Sequence, residues 1–535
     1  MKIIRLLLRN SGKTFILAAI ASLISGMGSA GMVAVINYAI ANLSNPPWWL
    51  LWAFIGLGIL LWLFRFISWV MITRLSQQIV YSLRLDMTQK ILNCPLQHLE
   101  TVGTPKLLAA LTGDINAIAG ASIQLAIVLV NLAVLIGVFA YLCWLSPLLF
   151  AIVSGSIIVG YGIYVSIQKQ GIQSFNQSRQ VQDMLFKHFR AITDGTKELK
   201  LHRPRRNDFM QSELKPTAKE AKYYWVKAIT AFALAGSTGT LLFFVPVGLI
   251  IFVFPQMETV TPATISSYAL AVLYAINPIS EIVSSLPQVA QANISLNKIE
   301  SLGLSLAEPV TEPDFPTDAD FDRNWSSLSL VDVNHAYSGD SEADRFTLED
   351  INLEFKPGEI VFIVGGNGSG KSTLVKLITG LYSPDRGRVL FNNQPVTDRN
   401  REWYRQQFSV IFYDFYLFDR LIGIDPNQQQ QIQAYLSLLE IDRKVTIKDG
   451  VLSTTNLSQG QRKRLALLTA YLEDRPIYVF DEWASDQDPV FKQVFYQKLL
   501  PELKHRGKTV IAVTHDDRYF NECDRLIKLD YGRIV

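Results

Sequence analysis

Apolar and polar residues are sorted into long blocks along the 535 positions of the chain. A helix crosses a hydrocarbon core of roughly 30 Å with about 20 apolar residues. Six windows qualify, at about 14–41, 47–74, 117–142, 145–167, 228–254 and 262–285. The connections near 42–46, 143–146 and 255–261 are short and contain no Lys or Arg. By contrast, the N-terminal stretch carries Lys2, Arg5, Arg9 and Lys13, and thirteen basic residues fall between 169 and 227. The positive-inside rule therefore puts both ends and the long connections on the cytosolic side of a cytoplasmic (inner) membrane. Basic residues before an apolar run also describe a secretory signal, but this run is too long for one, and it reads as a retained first span.

The connections at about 75–116 and 168–227 keep a helical period while turning polar, as from Gln168, Gln173 and Gln177 through Gln180 to Phe189. They predict either ordinary solvated helix or spans that project well beyond the bilayer. Two charges interrupt the apolar windows. Arg65 lies in the second, and Glu281 follows Asn277-Pro278 in the sixth. Such charges cost roughly 2.5–3.5 kcal/mol on insertion scales unless they meet a partner or a wet cavity. The expectation is a substrate-facing cavity, with a structural pair as the alternative.

At about 302–326 the chain turns to Pro309, Pro313, Pro316 and several Asp residues, the composition of an exposed linker. This gives a membrane domain over 1–300 with six helices and two long cytosolic loops, a linker over 301–326 and a soluble domain over 327–535. Charge follows the same division. Residues 1–300 hold 23 Lys and Arg against 12 Asp and Glu, whereas 301–535 hold 27 against 35. The basic excess sits where membrane topology requires it, so no nucleic-acid partner is expected. Cys94, Cys143 and Cys523 have neither disulfide-framework nor zinc-site spacing.

The soluble part opens with β-type runs at 327–333, 351–355 and 359–364. The last feeds Gly365-Gly366-Asn367-Gly368-Ser369-Gly370-Lys371-Ser372 and then an apolar helical pattern at 374–381. Strand, glycine-rich loop and helix in that order make a phosphate loop. Its inward backbone N–H groups and the helix N-terminus cradle phosphates. Lys371 supplies charge for the β- and γ-phosphates of ATP, and Ser372 a hydroxyl for Mg²⁺. Residues Gly366, Asn367, Gly368, Ser369, Gly370, Lys371, Ser372 and Thr373 are the expected nucleotide-binding set. Downstream, a short apolar strand at 477–480 ends in Asp481-Glu482. The first carboxylate is placed to hold Mg²⁺ and the second to polarise an attacking water, with a helix cap as the plain alternative. His515 follows the strand at 509–513, at the edge where parallel sheets bind ligands.

Leu457-Ser458-Gln459-Gly460-Gln461, followed by Arg462, resembles the signature motif of ATP-binding-cassette proteins. With the phosphate loop, Asp481-Glu482 and His515 in the right order, the chain is identified as a member of that family, and its six spans resemble the half-size exporter type. The resemblance implies the type IV exporter fold: an all-α six-helix transmembrane domain followed by an α/β P-loop nucleotide-binding domain. It also implies a homodimer in the lipid bilayer that couples ATP hydrolysis to transport. Ser458, Gly460 and Gln461 of one copy would close over ATP held by Lys371 of the other. Tyr337 would stack on adenine, His515 would contact the γ-phosphate beside the catalytic Glu482, and the helix ends near 98–105 and 199–208 would transmit closure to the spans.

Gly195-Thr196-Lys197-Glu198-Leu199-Lys200-Leu201, Phe362-Ile363-Val364-Gly365-Gly366-Asn367-Gly368 and His515-Asp516-Asp517-Arg518-Tyr519-Phe520 resemble the cyclic-peptide and peptide-siderophore exporters. They imply a peptide-like cargo. A lipid or multidrug exporter is the alternative within transport, and a membrane-anchored regulatory ATPase the alternative outside it. Three departures from the family pattern stand out. Tyr413-Asp414 replaces the usual Gln, so Asp414 is a candidate Mg²⁺ ligand. Ser485-Asp486-Gln487-Asp488 stands where Ser-Ala-Leu-Asp is usual. About 40 residues separate Phe418 from Ser458, which predicts a reduced helical subdomain.

Overall fold

The computed structural model describes residues 2–42, 47–253, 262–303, 324–337, 346–425 and 428–535. The 43–46 and 254–261 connections and most of the 301–326 segment lie outside them. The described chain forms two compact units. One comprises Met1–Thr88 and Pro105–Gly303, the other Gln89–Thr104 and Leu304–Val535.

The first unit is all helical: α1 (Lys2–Ala41), α2 (Trp48–Asn93, whose last turn belongs to the second unit), α4 (Thr104–Ala109), α5 (Ile115–Leu145), α6 (Pro147–Asp194), α7 (Thr196–Leu201), α8 (Arg203–Asp208), α9 (Lys215–Gly248) and α10 (Pro262–Ser301), with α3 (Leu96–Val102) in the second unit. Six helical stretches among the described residues are long and apolar enough to cross a membrane. The long polar cytosolic connections are largely helical, as their period predicts. α2 spans 46 residues and α6 spans 48, which at 1.5 Å per residue is about 70 Å, twice the hydrocarbon thickness. α6 begins where Ser146 accepts the Leu149 N–H and Pro147 occupies the first helical position, where the missing N–H calls for no acceptor. Small residues set the helix spacing. A Cβ at Gly26 would meet the Ala133 Cβ at 2.5 Å, and one at Gly137 the Ala30 Cβ at 2.7 Å, so α1 and α5 approach as close as their backbones allow.

The described residues of the second unit form one two-stranded sheet and two larger sheets. An antiparallel one has the order β2 (Phe346–Phe355), β1 (Leu328–Tyr337), β4 (Arg386–Phe391), β5 (Gln394–Pro395). The other runs β12 (Arg533–Ile534), β11 (Arg525–Asp530), β3 (Ile360–Gly365), β10 (Thr509–Val513), β9 (Ile477–Asp481), β6 (Phe408–Ile411), all parallel except β12. Its central strands are apolar on both faces and fully buried, as a sheet covered on both sides requires. One face packs on α11 (Lys371–Ile378), through residues such as Ile363, Leu374 and Ile378. The other packs on α14 (Gln459–Glu473), through Phe362, Leu467 and Phe480. Between Phe418 and Ser458 the described residues build one regular α-helix, α13 (Gln429–Leu438), and a hairpin of β7 (Ile447–Lys448) and β8 (Val451–Leu452). The helical subdomain is thus as small as the spacing predicts.

Candidate active site

Four adjacent parallel strands end on one edge, and each delivers a sequence-predicted residue there. β3 runs into the phosphate loop, β10 into Thr514-His515, β9 into Asp481-Glu482 and β6 toward Tyr413-Asp414. The carboxyl edge of an open parallel sheet is where ligands bind in such folds. Gly370 takes φ 100 at the head of α11, a conformation closed to side chains with a Cβ. Lys371 is buried, and its Nζ donates to the carbonyls of Gly365 at 3.1 Å and Gly366 at 2.9 Å. Burial pulls its ammonium below the usual lysine range, while Glu482 and Asp481 act against that shift. A polyanion arriving in the loop would act in the same direction as the two carboxylates and favour the charged form.

Asp481 is buried at the end of β9. Its carboxyl is raised above the usual range, first by burial; the Ser372 hydroxyl opposes this, Glu482 adds to it, Lys371 opposes it and Asp414 adds to it. Asp481 Oδ1 and the Ser369 hydroxyl are buried without a hydrogen-bond partner among the described residues. Unsatisfied oxygens of this kind beside Ser372 fit a hard divalent cation bound to phosphate. Of the two residues replacing the usual Gln, Asp414 is thus within electrostatic reach of Asp481, whereas the Tyr413 ring lies under the Lys463 ammonium, 5.3 Å from nitrogen to ring centre.

Glu482 occupies the left-handed region at φ 50, an uncommon and strained position for a residue with a side chain. Its N–H donates to the Val513 carbonyl at 3.1 Å, and its Oε1 lies 3.0 Å from His515 Nε2. The carbonyl of Glu482 accepts from Lys463 Nζ at 2.9 Å, Ser485 Oγ at 2.7 Å and Ser485 N at 3.2 Å. Lys463 is fully buried and also reaches Ser485 Oγ at 3.0 Å and Asp486 Oδ2 at 2.7 Å. Sequence reasoning missed this lysine, because Arg462-Lys463-Arg464 reads as a solvated basic run. The available signal was helical spacing, which puts 463 on one face with Leu467, Ala470 and Tyr471, all buried. The Asp486 departure is its partner.

Ser458 caps α14. Its Oγ accepts the Gln461 N–H at 3.4 Å, and Gln461 Oε1 accepts the Ser458 N–H at 3.2 Å, a complete capping box. In this cap the Gln461 side chain, expected at the nucleotide, uses only its Oε1. Gly460 presents its carbonyl to Gln487 Nε2 at 3.0 Å, which ties the signature turn to the 485–488 segment. Tyr337 ends β1, and its side chain lies outside the described residues. In the same unit, α3 is joined to the sheet domain through Glu100, which pairs with Lys376 Nζ at 2.7 Å and accepts from the Tyr382 hydroxyl.

Comparison with known proteins agrees with this geometry. Residues 15–276 match the model for the ABC transporter transmembrane region, and 348–485 match the ABC transporter model. ATP-binding protein SyrD of Pseudomonas syringae pv. syringae is 40% identical over 524 residues, covering 96% of this chain and 92% of that protein. The ATP-dependent lipid A-core flippase of Hahella chejuensis is 26% identical over 550 residues, covering 98% and 91%. A solved structure described as a bacterial Atm1-family ABC exporter with ATP bound superposes with a TM-score of 0.75 at 16% identity, covering 99% of this chain and 94% of that one.

Proposed function

Because the chain belongs to the ABC transporter family, as a multi-pass exporter-type half-transporter that binds and hydrolyses ATP, we propose that it works as a homodimer moving a peptide-like secondary metabolite outward across the cytoplasmic membrane. Both termini and the nucleotide-binding unit then lie in the cytosol. The domain division 1–300, 301–326 and 327–535 is the working frame of this reading.

In the proposed cycle the loop from Gly366 to Thr373 holds the phosphates of ATP, with Lys371 exchanging its loop carbonyls for phosphate oxygens. Ser372 and Asp481, with Asp414 nearby, are the residues to hold Mg²⁺, which would neutralise phosphate charge. Glu482 orients and polarises the attacking water, and His515, hydrogen-bonded to Glu482, contacts the γ-phosphate. Ser458 and Gly460 of the second copy complete the site, and Tyr337 stacks on the base. The observation that carries the hydrolytic reading is the meeting of Glu482, His515 and the phosphate loop on one sheet edge.

The peptide cargo is supported by the strings at 195–201, 362–368 and 515–520 and by the 40% identity to SyrD over nearly the full chain. The lipid A-core flippases match at lower identity, so a lipid cargo is the competing reading. Deleting the gene and comparing peptide metabolites inside and outside the cell separates them. Intracellular accumulation of a peptide is expected. An unchanged peptide distribution alongside a changed lipid distribution would overturn the peptide reading.

A further inference from the structure

The membrane unit contains two adjoining cavities that share Ser284. The first, of about 290 Å³, is lined by polar groups from four helices, among them Arg65, Gln124, Asn131, Glu281 and Ser285. The second, of about 390 Å³, is apolar and aromatic, with Phe139, Tyr161, Tyr164 and Ile279 in its wall. Together they fall within the roughly 300–1,000 Å³ of ordinary ligand sites.

Glu281 is fixed within the first. Buried Asn131 donates one amide hydrogen to Glu281 Oε2 at 2.6 Å and the other to the Ile127 carbonyl at 2.9 Å. The Ser284 and Ser285 hydroxyls bond the Glu281 backbone carbonyl at 3.0 and 2.7 Å, so neither is spent on the carboxylate. Oε1 has no protein partner among the described residues, and neither does the Arg65 guanidinium. The two charges form no ion pair within 4.0 Å. Unpaired opposite charges inside apolar spans are costly unless something else meets them. The cavity thus offers a carboxylate oxygen, a guanidinium and, beside them, an aromatic compartment.

We propose that the two cavities are one binding site for an amphipathic cargo, in which Glu281 takes an ammonium group, Arg65 takes a carbonyl or carboxylate oxygen of the same polar end, and the Tyr161–Tyr164 compartment takes the neighbouring apolar portion. This rests on the exporter reading of the membrane unit and names the chemistry of its cargo. An ammonium can belong to a peptide side chain or to a lipid headgroup, and the test separates those sources.

The full chain in lipid nanodiscs is titrated with an apolar cyclic hexapeptide carrying one ornithine, with its acetylated, uncharged twin, with short-chain phosphatidylethanolamine and with short-chain phosphatidylglycerol. Glu281→Gln keeps an acceptor for Asn131 and removes only the charge. It is expected to weaken binding of the ornithine peptide roughly tenfold or more, as loss of a hydrogen bond between charged groups does, and to leave the twin within about twofold. A misfolded variant would lose both peptides, so the twin is the internal control, and Arg65→Gln provides a second, independent variant with weakened binding expected. Binding of phosphatidylethanolamine alone, weakened by Glu281→Gln while phosphatidylglycerol is unaffected, would refute the peptide cargo and uphold the site. Equal shifts for charged and uncharged peptides, no shift for either, or no preference of the native protein for an ammonium-bearing probe would overturn the assignment.

Discussion

Replacing Lys463 by Met tests how the strained Glu482 is held. The substitution keeps the length and apolar stem of a fully buried side chain and removes its bonds to the Glu482 carbonyl, Ser485 and Asp486. The two Ser485 donors still satisfy the Glu482 carbonyl, and the Asp486 side chain is 37% exposed and can return to water. The folded state should therefore lose about 1–3 kcal/mol, below the 3–5 kcal/mol of a pair broken in full burial. Catalysis should suffer more visibly. A non-glycine residue in the left-handed region costs about 1–3 kcal/mol and persists only while its surroundings over-determine it. A hydrogen bond from a charged donor contributes about 1.5–3 kcal/mol, so its loss should depopulate the competent Glu482 conformer and lower kcat about 10- to 100-fold. The phosphate loop is untouched, so KM for ATP should stay within about twofold. Steady-state ATPase assays in nanodiscs, with binding of a fluorescent ATP analogue measured in parallel, separate the two. A kcat within twofold of the native protein, or a raised KM at unchanged kcat, would refute the reasoning. Lys463→Arg should recover part of the loss.

Glu482→Gln should lower kcat by about 10²-fold or more while ATP still binds, since the amide keeps the shape but not the basicity; single-turnover hydrolysis checks this. Asp414→Ala should raise the Mg²⁺ concentration needed for half-maximal ATPase, and an unchanged Mg²⁺ titration would end its proposed role. Because burial raises the Asp481 carboxyl, the native state holds that proton more tightly than the unfolded chain, and stability falls as pH rises through the native value. Above that value the ionised group is a net cost, so Asp481→Asn should raise the Tm of the nucleotide-free protein there and abolish the further stabilisation by Mg²⁺ and ATP, both read in one thermal melt. Glu100→Ala removes a partly exposed pair worth at most about 1 kcal/mol. It should leave the Tm nearly unchanged while reducing cargo-stimulated ATPase.

Where periodicity is long or a motif is spaced by backbone geometry, the sequence is transparent. The six apolar windows became six helices, and the run from 359 through Ser372 became strand, loop and helix, because few other folds accommodate Gly370 and Lys371 in that order. The helical period of the polar connections was legible as well, and α2 and α6 run on past their apolar windows because polar residues sustain a helix as well as apolar ones. Long-range pairing was hidden. Helical spacing puts Lys463 on the buried face of α14, but nothing local announces that it meets Asp486 there, or that Asn131 orients Glu281 from 150 positions away. Those contacts depend on how helices rotate about their axes when packed. Gln461 shows the converse, since the sequence places it in the signature motif by resemblance and the structure adds a local role, its Oε1 completing the start of its own helix.

That helix start bears on how two copies can close. A hydroxyl has two acceptor lone pairs and one proton, and the cap at Ser458 uses acceptor capacity alone. The proton remains for a phosphate oxygen arriving from the facing copy in the proposed dimer. Closure then needs no unwinding of the first turn, and α14 can travel between open and closed forms as a rigid rod, its end already finished. Motion of this kind puts the flexing elsewhere and leaves the signature turn as a fixed gauge against which the distance to the nucleotide is set.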